Sequence, residues 1–246
     1  MKFKIAGPSA KKYFEKLLPN QKFGSYWIRN KKNFIVKIYE LMNQLSSFEK
    51  SYKKLKLNHP KDIKPELMST APSVLSFLQY LIREKKAKKV LEIGTFLGVS
   101  AMFFAKEVGK KGSVVTIEKG EQFSKISRSN FIKNKINNIK LINDDALSAL
   151  KKIKLNKFDF IFVDGSKINY LKIFKILEKK INHECTICFD DALYHGDIFN
   201  KNIRTEHGAG VKKLQNYLKK DKNWNKILVP ISNGILLINK KSKNWL

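Results

Sequence analysis

The spacing of apolar and polar positions changes along the chain, and each change marks an element. Residues 9–18 and 34–45 repeat apolar side chains at helical spacing, and Pro19-Asn20 stops the first run. The pattern predicts a basic, mostly helical extension over 1–64 that packs on the core, and a core domain over 65–246. Asn58-His-Pro-Lys-Asp62 and Pro65 mark the loop where the extension ends. A further helix follows Pro72, with Leu75, Leu78 and Ile82 on one face. From residue 89 onward, strand and helix patterns alternate. Short apolar runs over 90–93, 113–117, 139–142, 158–163 and 186–189 read as buried strands, with helices between them over about 99–108, 121–134, 146–153 and 168–180. Such alternation argues for a parallel sheet covered on both faces. The end breaks the rule, because runs 226–231 and 235–239 are separated only by Ser232-Asn-Gly234, a hairpin signal. The predicted fold is α/β, a seven-stranded sheet closed by an antiparallel C-terminal hairpin.

Composition changes this picture in two places. There are 50 Lys and Arg against 21 Asp and Glu, a formal net charge of +29. Such a field attracts polyanions, RNA among them. A general bias toward Lys, Asn and Ile accounts for the same excess, and most of the basic residues are Lys, the less specific phosphate reader. A hydrophobic content of 43% suits a sizeable core. No apolar run approaches the roughly 18 residues that span a bilayer, and the charged start has no apolar stretch of the signal-peptide kind. The expected setting is cytoplasmic, with no membrane partner. Cys185 and Cys188 lie three apart in a strand-like run, so they point to opposite faces and read as buried structural thiols.

The candidate chemistry gathers at strand ends. Glu92-Ile-Gly-Thr-Phe-Leu-Gly-Val-Ser100 is a strand that breaks into a glycine turn and opens a helix. It lacks the G-x-G-x-x-G spacing that admits a pyrophosphate, which favours S-adenosylmethionine over a dinucleotide. Glu118 ends the second strand, where a carboxylate accepts ribose hydroxyls. Asp145 follows the third strand and reads as an adenine neighbour, a helix cap, or both. The fourth strand ends in Asp164 and the fifth in Asp190 and Asp191. Adjacent parallel strands lie about 4.8 Å apart, so these three carboxylates meet at one edge. Oxygen-only ligands favour Mg²⁺, with Mn²⁺ or Ca²⁺ as alternatives. Lys167, three residues past Asp164, reads as a base whose proton is loosened by burial or a nearby cation.

These motifs resemble those of the cation-dependent O-methyltransferases. The resemblance lies in Glu92–Ser100, in Phe158-Asp-Phe-Ile-Phe-Val-Asp-Gly-Ser-Lys-Ile-Asn-Tyr170 and in Asp190-Asp-Ala-Leu-Tyr-His-Gly196, and it runs from about residue 68 to 240. That family includes catechol and caffeoyl-CoA enzymes and bacterial tRNA 5-hydroxyuridine methyltransferases. The resemblance implies the class I, Rossmann-like methyltransferase fold and an S-adenosylmethionine cofactor. It implies that Gly94, Thr95 and Ser100 hold the methionine end, with Glu92 and Gly98 in the same turn. Glu118 would take the ribose, and Asp145 and Ala146 would border the adenine. Asp164, Asp190 and Asp191 would bind a divalent cation, with Asp164 also beside the cofactor. Lys167 matches the catalytic lysine, and the segment from Met68 to Pro72 matches one that lines the cofactor pocket. A homodimer is the expected assembly. The chain departs from the family at Asp191, usually Asn, at Leu97 and Val99, often Thr and Tyr, and at Asp144, usually Gly. Two acceptors fit, a small catechol-like or caffeoyl-like hydroxyl compound and a hydroxylated tRNA base. The glycine spacing and acid cluster speak against an NAD oxidoreductase, and the intact metal and lysine positions against a non-catalytic RNA-binding module.

Overall fold

In a computed structural model of the chain, residues 41, 45, 52–65 and 69–241 are described. The chain forms two compact units, 1–46 and 47–246. Of the first, only Leu41 and Leu45 are described, both helical and exposed. The helix expected over 9–18, most of that over 34–45, and Met68 lie outside the described residues.

The second unit is built on one sheet. Its strands are β1 (Lys89–Ile93), β2 (Ser113–Glu118), β3 (Ile139–Asn143), β4 (Phe160–Val163), β5 (Thr186–Phe189), β6 (Trp224–Val229) and β7 (Ile235–Lys240). The helices are α1 (Pro72–Glu84), α2 (Val99–Val108), α3 (Glu121–Lys133), α4 (Ala146–Lys152), α5 (Tyr170–Lys180) and α6 (Glu206–Lys220). The strand order is β3-β2-β1-β4-β5-β7-β6, with the first five strands parallel and β7 antiparallel to both neighbours. This is the α/β sheet with a terminal hairpin that the alternation predicted. The order reverses between β1 and β4, and ligands of such sheets bind outside the strand ends at that switch.

Alternation along the strands feeds two cores. Leu91, Ile93, Ile161 and Val163 pack with α4, α5 and α6, while Val90, Phe160 and Phe162 pack with α1, α2 and α3. Cys185 joins the first core and Cys188 the second, both as free buried thiols on opposite faces. Residues 52–65 bond onto the end of α3. Lys56 N donates to Asn134 Oδ1 at 3.0 Å and Asn58 N to Asn130 Oδ1 at 2.6 Å. The buried Asn130 in turn donates to Leu97 O at 3.0 Å, which ties this segment to the turn after β1.

Three boundaries differ from the sequence pattern. Helix α6 was not anticipated, because Gly208 and Gly210 weaken its first turns and its buried stripe of Val211, Leu214 and Leu218 is interleaved with lysines. Strand β4 starts at Phe160, since Phe158 closes the turn Leu155–Lys157 and the Asp159 carboxylate accepts from Lys88 N and Lys89 N at 2.7 and 2.8 Å. Strand β6 begins at Trp224, which is buried, and stops before Pro230, which has no N–H to give a ladder.

Candidate active site

The turn after β1 is shaped by one close approach. Gly94 has φ of 100°, and a Cβ there would lie 2.5 Å from Asp164 O. Only glycine fits where the two strand ends pass so closely. Thr95 N and Phe96 N then point at the end of β2 and donate to Glu118 Oε2 at 3.2 and 2.9 Å, while Gly120 N donates to Oε1 at 2.8 Å. Three backbone donors thus fix one carboxylate at the lip of a cavity of about 730 Å³. The cavity is lined on this side by Gly94, Thr95, Ser100, Glu118, Asp145 and Ala146. Asp145 also caps α4, accepting from Leu147 N at 2.9 Å and Ser148 N at 3.4 Å, so cap and lining residue are the same group.

Glu92 lies beneath this floor. It is fully buried and does not line the cavity. Ser100 Oγ donates to its Oε1 and Thr116 Oγ1 to its Oε2, each at 2.5 Å, and Thr116 Oγ1 shares a further hydrogen bond with Thr95 Oγ1 at 2.6 Å. Burial pushes the Glu92 carboxyl up to about 8 against the pull of both hydroxyls. Glu92 therefore meets the cavity only through Ser100 and Thr95. Gly98 is also behind the wall, against the Phe131 ring.

The far side of the cavity holds the acids and the lysine. Lys167 Nζ lies 2.9 Å from Asp164 Oδ1 and 2.9 Å from Asp191 Oδ2, with its side chain 13% exposed. Thr70 Oγ1 donates to Asp164 Oδ2 at 3.4 Å. Asp190 is buried, and its Oδ1 accepts from Asp191 N at 2.8 Å. The buried Tyr170 hydroxyl bonds both strand ends, at 3.1 Å to Val163 O and 3.0 Å to Asp190 O. Burial drives the Asp190 carboxyl well above its usual range, and Asp164 and Asp191 push the same way. Burial also raises Asp164, though Lys167 pulls it back.

Burial alone would loosen the Lys167 proton, but Asp164 and Asp191 outweigh burial and hold the ammonium above the ordinary lysine value. Asp164, Asp190 and Asp191 line the same cavity. Lys167 bridges Asp164 and Asp191, and among the described residues no three His, Cys, Asp or Glu side chains are arranged to hold a metal ion. The donor chemistry, oxygen only, still suits a hard divalent cation. Sequence reasoning named the segment up to Pro72 as lining, and Ser69, Thr70, Ala71 and Pro72 do line the cavity. It did not single out Thr70, whose contact with Asp164 spans distant parts of the chain. Among the described residues, Ser69 Oγ is buried without a hydrogen-bond partner. His195 and Asn233 also line the cavity, 3.5 Å apart.

Comparison with known proteins follows the same lines. The model of the O-methyltransferase family matches residues 43–241. "O-methyltransferase ankF" of Aspergillus thermomutatus is 31% identical over 194 residues, 72% of this chain and 80% of that protein. "Probable caffeoyl-CoA O-methyltransferase 2" of Dictyostelium discoideum is 29% identical over 185 residues, 73% of this chain and 80% of that protein. Among solved structures, an O-methyltransferase from Bacillus cereus in complex with SAH superposes with a TM-score of 0.65 at 21% identity, covering 95% of this chain and 97% of that one. That last likeness supports the fold alone.

Proposed function

The chain belongs to the O-methyltransferase family, and from that premise we propose that it methylates a hydroxyl oxygen of a small catechol-like or caffeoyl-like acceptor with S-adenosylmethionine as donor. Bound in the cavity, that cofactor supplies a methyl group made electrophilic by its sulfonium. The observation that carries the reading is Glu118, a carboxylate fixed by three backbone N–H groups at the end of β2. Such a group pairs with ribose hydroxyls. Gly94, Thr95 and Ser100 are suited to the methionine end, and Asp145 and Ala146 to the adenine edge. Glu92 acts by fixing the Ser100 and Thr116 hydroxyls. A charged carboxylate bonded to a ligand contributes about 1.5–3 kcal/mol. Glu118→Ala is therefore expected to weaken S-adenosylhomocysteine binding by about ten- to a hundredfold, read by calorimetric titration.

Asp164, Asp190 and Asp191 are the residues that would hold a divalent cation, and bound there it would acidify and orient the acceptor hydroxyl. Lys167, an ammonium as it stands, is placed to stabilise the oxygen as it loses its proton. Turnover then depends mainly on holding oxygen and methyl in line. The net charge of +29 favours a second acceptor, a hydroxylated base in tRNA. The test is methyl transfer to catechols and to hypomodified tRNA, with and without EDTA. The proposal expects methylated catechol, lost in EDTA. Activity that survives EDTA removes the cation from the reaction, and transfer to tRNA alone replaces the acceptor class.

A further inference from the structure

Helix α6 lies against the backbone of Lys167 and bonds the residue that follows Asp191, although no residue of α6 belongs to the acid–lysine cluster. At its N-terminal end the helix is set by Thr205, whose hydroxyl accepts from Gly208 N at 2.9 Å and donates to Asp197 Oδ2 at 2.7 Å. One turn on, its backbone lies directly on the short 3-10 turn Lys167–Asn169 that follows β4. A methyl group on Gly210 would lie 2.3 Å from Lys167 O and 2.7 Å from Ile168 Cα. Those neighbours are backbone atoms, so no rotamer change relieves the contact and the turn itself would have to move. Farther along the same helix, Gln215 Nε2 donates to Ala192 O at 2.6 Å, which holds the chain immediately after Asp191. Asp191 itself stands at φ of 51°, a conformation that a non-glycine residue keeps only where its surroundings impose it.

We propose that Gly210 is a positioning residue: it lets α6 seat against the Lys167 turn while Gln215 holds the segment after Asp191, so that one helix sets Lys167 against its two carboxylates. The consequence for turnover rests on the reading of Lys167 given above, whereas the placement of Lys167 does not. Sub-ångström placement of such a group matters because misplacement by about 1 Å costs on the order of a hundredfold in rate.

The placement is read without any acceptor, by acetylating the full-length protein and following Lys167 by peptide mass spectrometry. In the parent Lys167 is expected to react slowly, held between Asp164 and Asp191, and in Gly210→Ala several-fold faster relative to the exposed lysines. An unchanged Lys167 rate in a folded Gly210→Ala overturns the proposal. Turnover is read with 3,4-dihydroxybenzoate as the probe acceptor. Gly210→Ala is expected to lower kcat at least tenfold with S-adenosylhomocysteine affinity within about twofold, and to add no further loss in a Lys167→Met background. A loss of equal size in that background overturns the route through Lys167. Faster acetylation with unchanged kcat upholds the placement and removes Lys167 from the chemistry instead. If Gly210→Ala does not fold, Thr205→Ala, which frees the start of the same helix, is measured by the same acetylation, and an unchanged Lys167 rate again overturns the proposal.

Discussion

Lys167→Met is expected to lower kcat for methyl transfer by about 10²–10³-fold while S-adenosylhomocysteine binds as before. Lys167 is far from Glu118 in role as well as in sequence: it shares the cavity, but among the described residues its ammonium bonds only to Asp164 and Asp191. Its side chain is 13% exposed, so its charge is screened little by solvent. A hydroxyl attacks a methyl sulfonium slowly until it sheds its proton, and a cation beside the oxygen stabilises the charge that appears. An ammonium held above the ordinary lysine value is suited to that task and poorly suited to accepting a proton while both carboxylates face it. Lys167→Arg separates the two roles. Arginine keeps the charge and does not deprotonate in proteins. Partial recovery of kcat in Lys167→Arg assigns Lys167 to charge stabilisation, and no recovery assigns it to proton transfer. Parental kcat in Lys167→Met would remove it from the reaction altogether. The methionine variant also leaves Asp164 and Asp191 facing each other unpaired, so its folded fraction must be measured beside its rate.

The parts of this site that could be read from sequence are those fixed by strand periodicity. Parallel strands end together, so Asp164 and Asp190 had to meet once 158–163 and 186–189 were recognised as neighbours in the sheet. Glu118 followed from the same rule applied to β2. The rule fails one residue inside the strand. Glu92 belongs to the ladder of β1, opposite Thr116 on β2 and Phe162 on β4, and its side chain is committed to the sheet face rather than the edge. On β1 the ligand side begins at Ile93, which lines the cavity, and continues into the turn that follows it. The charge state of Lys167 was not legible either, because burial and two carboxylates act in opposite directions and distances of 2.9 Å decide between them. Helix α6 was hidden by the glycines at 208 and 210, and Gly210 is what its seat on the Lys167 turn requires.

Glu92→Gln is expected to flatten the dependence of stability on pH between about 4.5 and 8. The ordinary value of this carboxyl is 4.5, and in the folded protein burial raises it to about 8. Across that window the folded chain keeps a proton that the unfolded chain has released, so the unfolded state is favoured progressively as pH rises. The contribution is intact below the unfolded value and is lost as pH climbs through the folded one, at about 1.4 kcal/mol per pH unit for a single group. Above about 8 the carboxylate ionises in place, surrounded by hydroxyls that satisfy it only in part. Glutamine keeps the shape, accepts from Ser100 or Thr116, and never charges. Asp164 and Asp190 are raised by burial in the same direction and remain in both proteins, so the difference between the two pH curves reports Glu92 together with its smaller repulsion from Asp164 and Glu118. Urea unfolding at half-unit pH steps from 5 to 9 measures it. Diverging curves, with Glu92→Gln gaining relative stability toward pH 8, place a neutral acid beneath the turn after β1, and parallel curves mean that Glu92 is ionised there throughout.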